Sequence, residues 1–97
     1  MTIFAVTYRY SDDVETRDRL RPEHRYYLRG LADQGSLLLS GPHGPDEAPG
    51  ALLLFRGDDK EQIAELVAKD PFMPSGVIAE TTTTEWEPVI GPLLSAL

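Results

Sequence analysis

The sequence predicts an α+β sandwich, a βαββαβ chain that lays two helices on one face of a four-stranded antiparallel sheet in the ferredoxin-like arrangement. Three observations predict it. Strand-like and helix-like segments alternate in that order. The two middle strand-like segments are joined by a turn-rich loop, while the outer ones are separated from them by helical periodicities. The chain has 97 residues, with no internal repeat and no linker composition, so residues 1–97 read as a single domain.

Ile3 to Tyr10 is the first strand, aromatic and β-branched throughout, and Ser11-Asp12-Asp13 ends it. Asp12 with Glu15 three residues on has the form of a capping box and predicts a short helical turn. Pro22 then interrupts. Proline is tolerated at the first position of a helix and costly in its interior, so the main helix is expected from Pro22 to Gln34, with Gly35 closing it. Leu37 to Ser40 is strand two, Gly41 to Gly50 a loop of glycine, proline and acid, and Ala51 to Phe55 strand three, ended by Gly57. Asp58 and Glu61 suggest a second capping box, and Ile63, Leu66 and Val67 the buried face of helix two. Asp70 to Gly76 is a proline-rich break. Val77 to Trp86 is strand four, stopped by Pro88.

A sheet with helices on one face and water on the other should alternate apolar and polar residues. Leu37-Leu38-Leu39 and Ala51-Leu52-Leu53-Leu54-Phe55 do not, and strand one opens Ile3-Phe4-Ala5-Val6. Short core strands are often wholly apolar, but a patch of this size also asks for a partner sheet. A homodimer with sheet facing sheet is therefore expected. The apolar tail Val89 to Leu97 needs packing as well.

Charge and composition narrow the function. A net charge of −7 disfavours a phosphate-backbone partner. Tyr8, Tyr10 and Phe55 could stack bases as RNA-recognition domains do, but strand three lacks the basic pattern that requires, so no nucleic-acid role is expected. No apolar run approaches the ~20 residues of a membrane span. Met1 leads straight into a strand with no basic segment before an apolar one, so no signal peptide is expected. The chain has no cysteine, which excludes a disulfide framework and a thiolate nucleophile. A cytoplasmic location follows as the expectation. With two histidines and no carboxylate cluster at ligand spacing, neither a metal site nor a cofactor is expected.

The residue that stands out is His24. Positions 20, 24, 27, 28 and 31 form the core-facing stripe of the main helix, and four of them are Leu20, Tyr27, Leu28 and Leu31. His24 occupies the remaining one. On that stripe a His24→Leu change is expected to leave stability unchanged or to raise it. Read as the third residue of a helix beginning at Pro22, His24 would lie beside a positive helix end, which favours neutral imidazole. Asp70 is the second oddity, because a carboxylate at a helix C-terminus opposes the macrodipole. If the two meet, Asp70 would set the tautomer and permit general-base work. A core histidine bonded to backbone and an ordinary Asp-Pro turn account equally for the pattern. Arg17 and Arg21 could favour an anion near His24, or simply solvate a helix end. His43, in the Gly/Pro loop, is expected to be exposed and not catalytic.

Arg21-Pro22-Glu23-His24 followed by Leu28, Gly35, Leu37 and Ser40-Gly41-Pro42, with Asp70-Pro71-Phe72 and Gly76 further on, resembles the YciI-like (YCII-related domain) family over nearly the whole chain. The resemblance implies a ferredoxin-like subunit, a dimeric α+β barrel and a His–Asp pair proposed as the active site, here His24 and Asp70. It places Arg17 and Arg21 where basic residues often occur, and Ser40 in the small-Gly-Pro turn. Relatives that include muconolactone-isomerase-like proteins and a chloromuconolactone dehalogenase imply a small anionic organic substrate and lyase, isomerase or hydrolase chemistry. His24 and Asp70 would be catalytic, and Arg17, Arg21 and Ser40 substrate-binding. A module of the same fold that binds a small molecule without turning it over is the alternative, and the sequence does not separate the two.

Overall fold

The computed structural model describes residues 1–97 and has the expected element order. The elements are β1 (Thr2–Tyr10), α1 (Val14–Asp33), β2 (Leu37–Pro42), β3 (Gly50–Gly57), α2 (Lys60–Ala68), β4 (Ile78–Trp86) and a short 3-10 helix (Pro92–Ala96). The four strands form one antiparallel sheet in the order β2-β3-β1-β4.

Register sorts the apolar runs into two faces. Directly opposed residues of an antiparallel pair point the same way. Phe4 with Phe55, Val6 with Leu53 and Tyr8 with Ala51 therefore share the face under the helices, and all six are buried. Ile3 with Arg56, Ala5 with Leu54 and Thr7 with Leu52 share the other face, where none of the six is fully buried. Ile63 and Val67 of α2 and Leu28 and Leu31 of α1 complete the core. Gly50 is required by contact and not by dihedral angle: a Cβ there would collide with the Tyr8 carbonyl oxygen.

The structure corrects the reading of α1. Pro22 does not begin the helix but lies inside a continuous one, Val14–Asp33. The N-cap is Asp13 and not Asp12, its Oδ1 accepting from the Thr16 N–H at 3.1 Å and its Oδ2 from the Thr16 hydroxyl at 2.7 Å. A proline in a helix interior costs about 3 kcal/mol through its missing N–H and its ring. The helix continues because its buried stripe lies on the far side of Pro22, which is itself exposed. Its end is as expected. Gly35 takes a φ of 86°, the Ser36 N–H donates to the Leu31 carbonyl and the Gly35 N–H to the Ala32 carbonyl, a Schellman pair.

The second cap is also displaced by one residue. Asp59 caps α2, accepting from the Gln62 N–H at 2.8 Å, while the Gln62 side chain accepts from the Asp58 N–H at 2.7 Å. Asp59 has the extended backbone that a cap requires. Strand β2 runs on to Pro42 and carries a register shift between Leu37 and Leu39. An extra residue flips the faces that follow it. Leu37 is accordingly buried, Leu39 opposes Leu54 on the open face, and Ser40 opposes Leu53 on the helix face. The C-terminal segment leaves Val89, Ile90 and Leu93 exposed. No helix is long and apolar enough to cross a membrane.

Candidate active site

His24 and Asp70, 46 residues apart in sequence, meet in the interior. Nδ1 of His24 lies 2.8 Å from both carboxylate oxygens of Asp70. The Asp70 side chain is fully buried and that of His24 is 9% exposed. Asp70 reaches this position because α2 tightens and stops. The Asp70 N–H donates to the Val67 carbonyl, and the side chain then turns inward, where Oδ1 accepts from the Phe72 N–H at 3.0 Å. The carboxylate that opposed the helix dipole in the sequence is thus held by donors of its own.

Tyr8 supplies the third donor. Its hydroxyl gives a hydrogen bond to Asp70 Oδ2 at 3.0 Å from the middle of β1. Burial first, then the adjacent Asp70 charge and hydrogen bond, push the Tyr8 phenol far above its ordinary range. Tyr8 is therefore a permanent donor. An ionised carboxylate only accepts, so the imidazole proton that faces Asp70 sits on Nδ1 and leaves Nε2 as the basic nitrogen. The Phe72 ring stacks on the imidazole, with centroids 4.0 Å apart and planes 7° from parallel. One N–H shared between the two carboxylate oxygens and a stacked ring fix the histidine.

A cleft of about 740 Å³ opens beside this pair, between α1, β2 and residues 43–50. His24, Arg17, Arg21 and Ser40 all border it, so four of the five residues singled out from the sequence share one cavity. Asp70 does not border it and reaches it only through His24. His43 is exposed, as expected, yet it also borders the cleft, with Nδ1 3.4 Å from the Ala48 carbonyl oxygen. The helix-end account of His24 fails, because the residue lies mid-helix and no N-terminus adjoins it. The positive field comes instead from side chains. The Arg17 guanidinium lies 5.0 Å above the Tyr10 ring, and Tyr10 meets Phe72 edge-on at 5.7 Å. The Tyr10 phenol is pushed up by burial and by Asp70, against the opposing pull of Arg17, Arg21 and Arg25. Nowhere do three or more His, Asp or Glu side chains converge to hold a metal ion.

Comparison with known proteins identifies the family and the fold. The profile of the YCII-related domain matches residues 1–87. The chain belongs to the YCII-related domain family. A protein of Emericella nidulans, "Derivative of benzaldehyde biosynthesis cluster protein C", is 27% identical over 78 residues, which are 71% of this chain and 80% of that protein. Among solved structures, 5-chloro-2-hydroxyhydroquinone dehydrochlorinase from Burkholderia phenoliruptrix AC1100, in complex with 2,5-dihydroxybenzoquinone, superposes with a TM-score of 0.76 at 22% identity, covering 88% of this chain and 93% of its own. A protein from Agrobacterium tumefaciens superposes with a TM-score of 0.60 at 14% identity over 92% and 94% of the two chains.

Within this YCII-related domain, sequence reasoning missed Tyr8, Phe72, Arg25 and Arg29. Tyr8 was legible in one respect: a tyrosine at an inward strand position must find a partner for its hydroxyl. The two outer arginines continue the four-residue spacing of Arg17 and Arg21, a signal obscured by ending the first helical turn at Pro22.

Proposed function

We propose that this protein is a small enzyme of the lyase, isomerase or hydrolase type, acting on a small anionic organic molecule with His24 as its general acid/base. One observation carries the reading: a histidine whose Nδ1 is held by a fully buried carboxylate, on the wall of an arginine-lined cleft. Nε2 takes a proton from the bound molecule. Asp70 stabilises the resulting imidazolium, and Tyr8 and Phe72 keep that carboxylate from rotating away. The proton then returns to the product or leaves with the departing group. Arg17 and Arg21 neutralise the ligand's charge, and the Ser40 hydroxyl donates to it. Similarity to a dehydrochlorinase favours elimination among the three reaction types, with Nε2 as the base. The reading needs no metal or cofactor. It places the protein in the cytoplasm, where a cysteine-free chain meets no redox constraint.

The same reading has two copies pairing through the bare sheet face into an α+β barrel. Leu39, Leu52 and Trp86 are 63%, 44% and 43% exposed in one copy, and their burial would drive association.

His24→Gln is the decisive variant, because the amide can still donate to Asp70 but cannot serve as a base. Against a panel of small carboxylic acids, lactones and hydroxylated rings, the parent should convert at least one. The variant should bind that compound and lose turnover by at least about a hundredfold. Equal turnover would overturn the assignment. A parent that binds but converts nothing would make the non-catalytic binding module the better account.

A further inference from the structure

This chain has sixteen acidic residues against nine Lys and Arg, yet four of the nine border one cleft. Arg17, Arg21, Arg25 and Arg29 recur at four-residue intervals along α1, and Glu47 is the one acidic residue on the same walls. Only Arg21 has a carboxylate partner, Asp18 at 2.8 Å; the remaining salt bridges are Arg9–Glu80 and His24–Asp70. Arg17, Arg25 and Arg29 are therefore left without counter-charges in an acid-rich protein. Arg17 Nη1 is in addition buried without any hydrogen-bond partner. A buried guanidinium nitrogen with nothing to donate to is costly unless a ligand supplies the acceptor.

The spacing defines the shape of that ligand. Four residues advance a helix by about 6 Å, so the midpoint of Arg17 and Arg21 lies about 12 Å along the axis from that of Arg25 and Arg29. Along the axis His24 falls between the two pairs, and around the helix it lies next to Arg17. Each step of four also turns the column about 40°, from the buried stripe outward toward β2. Arg17, at the inner end, lies over the Tyr10 ring, and Arg25 and Arg29, at the outer end, are exposed. A single small anion would engage only one pair.

We propose that the cleft takes an elongated dianion: a small molecule with two separated anionic groups, one held by Arg17 and Arg21, on the His24 side of the helix, and the other by Arg25 and Arg29. This rests on the reading of the cleft as the ligand site and adds the substrate class. Arg25 and Arg29 become specificity residues, and flexible arginine stems allow the second anionic group to lie closer than the helix spacing alone would set.

Isothermal titration at fixed ionic strength with two inert probes, adipate and hexanoate, tests it. Adipate should bind the parent at least tenfold more tightly than hexanoate. Arg25→Gln with Arg29→Gln should bring adipate to the hexanoate level and leave hexanoate within twofold, and Arg17→Gln should weaken both. Both outer arginines are exposed, so their replacement spares the core. Adipate binding no tighter than hexanoate, no binding of either, or equal losses for both in the outer-pair variant would overturn the proposal. Neither probe reacts, so the result is independent of catalysis. A parent that turns over none of the panel compounds would leave the dianion preference standing or falling by the titration itself.

Discussion

The two faces of the sheet come from the same strands and similar apolar runs, yet they end in opposite states. On the helix face Val6, Leu53 and Phe55 are wholly buried and Phe4 is 2% exposed. Three polar side chains sit in that interior, Tyr8, His24 and Asp70, and each has a partner. On the other face Leu39, Leu52 and Trp86 stand open, and the charged pair Arg9–Glu80, at 3.3 Å, is solvent-exposed. The difference shows where polarity can be placed. A buried carboxylate is sustainable where an imidazole, a phenol and a backbone N–H converge on it. The open face has no such arrangement: its leucines and Trp86 alternate with threonines and with charged side chains that remain in solvent.

Asp70→Asn should break the covered face's role most severely. If its amide turns an NH₂ toward Nδ1, the imidazole proton moves to Nε2 and the base is lost. Steady-state turnover should then fall on the order of 10³–10⁴-fold. A fall of less than tenfold would reduce the buried pair to a packing feature.

The open face is tested by Leu52→Glu with Leu54→Glu. If two copies pair there, the parent should sediment as a dimer at micromolar concentration and the variant as a monomer. Each buried leucine is worth about 1.5–3 kcal/mol, so association should weaken by at least about a hundredfold. A monomeric parent would leave the open face without the partner proposed for it.

Tyr8→Phe should have the smallest effect. It removes one hydrogen bond to a charged group, about 1.5–3 kcal/mol in chemical denaturation at neutral pH. It should also change the alkaline limb. The folded state holds the Tyr8 phenol protonated, mainly through burial, while the unfolded chain releases that proton near pH ~10. The unfolded state then binds fewer protons, so stability is level below that pH and falls above it. Parent phenolate absorbance from Tyr8 should appear together with unfolding, and the variant should lose less stability between neutral and alkaline pH. An identical alkaline slope would show that Tyr8 is not held as described.

The geometry also reverses one stability expectation. From the helical stripe alone, His24→Leu is neutral or favourable. With Asp70 fully buried behind it, the same change withdraws a donor from an enclosed carboxylate and should destabilise.

How much could be read in advance depended on how local the cause was. The continuous apolar runs left the inward set Phe4, Val6, Leu53 and Phe55 to be decided by strand register. The strands, the stripe that carries His24 and the stop at Gly35 were legible, because each follows from side-chain periodicity or from one residue's backbone preference. Pro22 misled for the same reason: its penalty is local, and packing along a twenty-residue helix outweighs it. Only tertiary structure decided that Tyr8 and Phe72 complete the Asp70 cradle, and that a register shift in β2 turns Ser40 to the helix face. Those outcomes depend on which atoms from distant segments converge. Hydrogen-bond saturation in a low-dielectric interior is a property of that convergence, and no single stretch of chain encodes it.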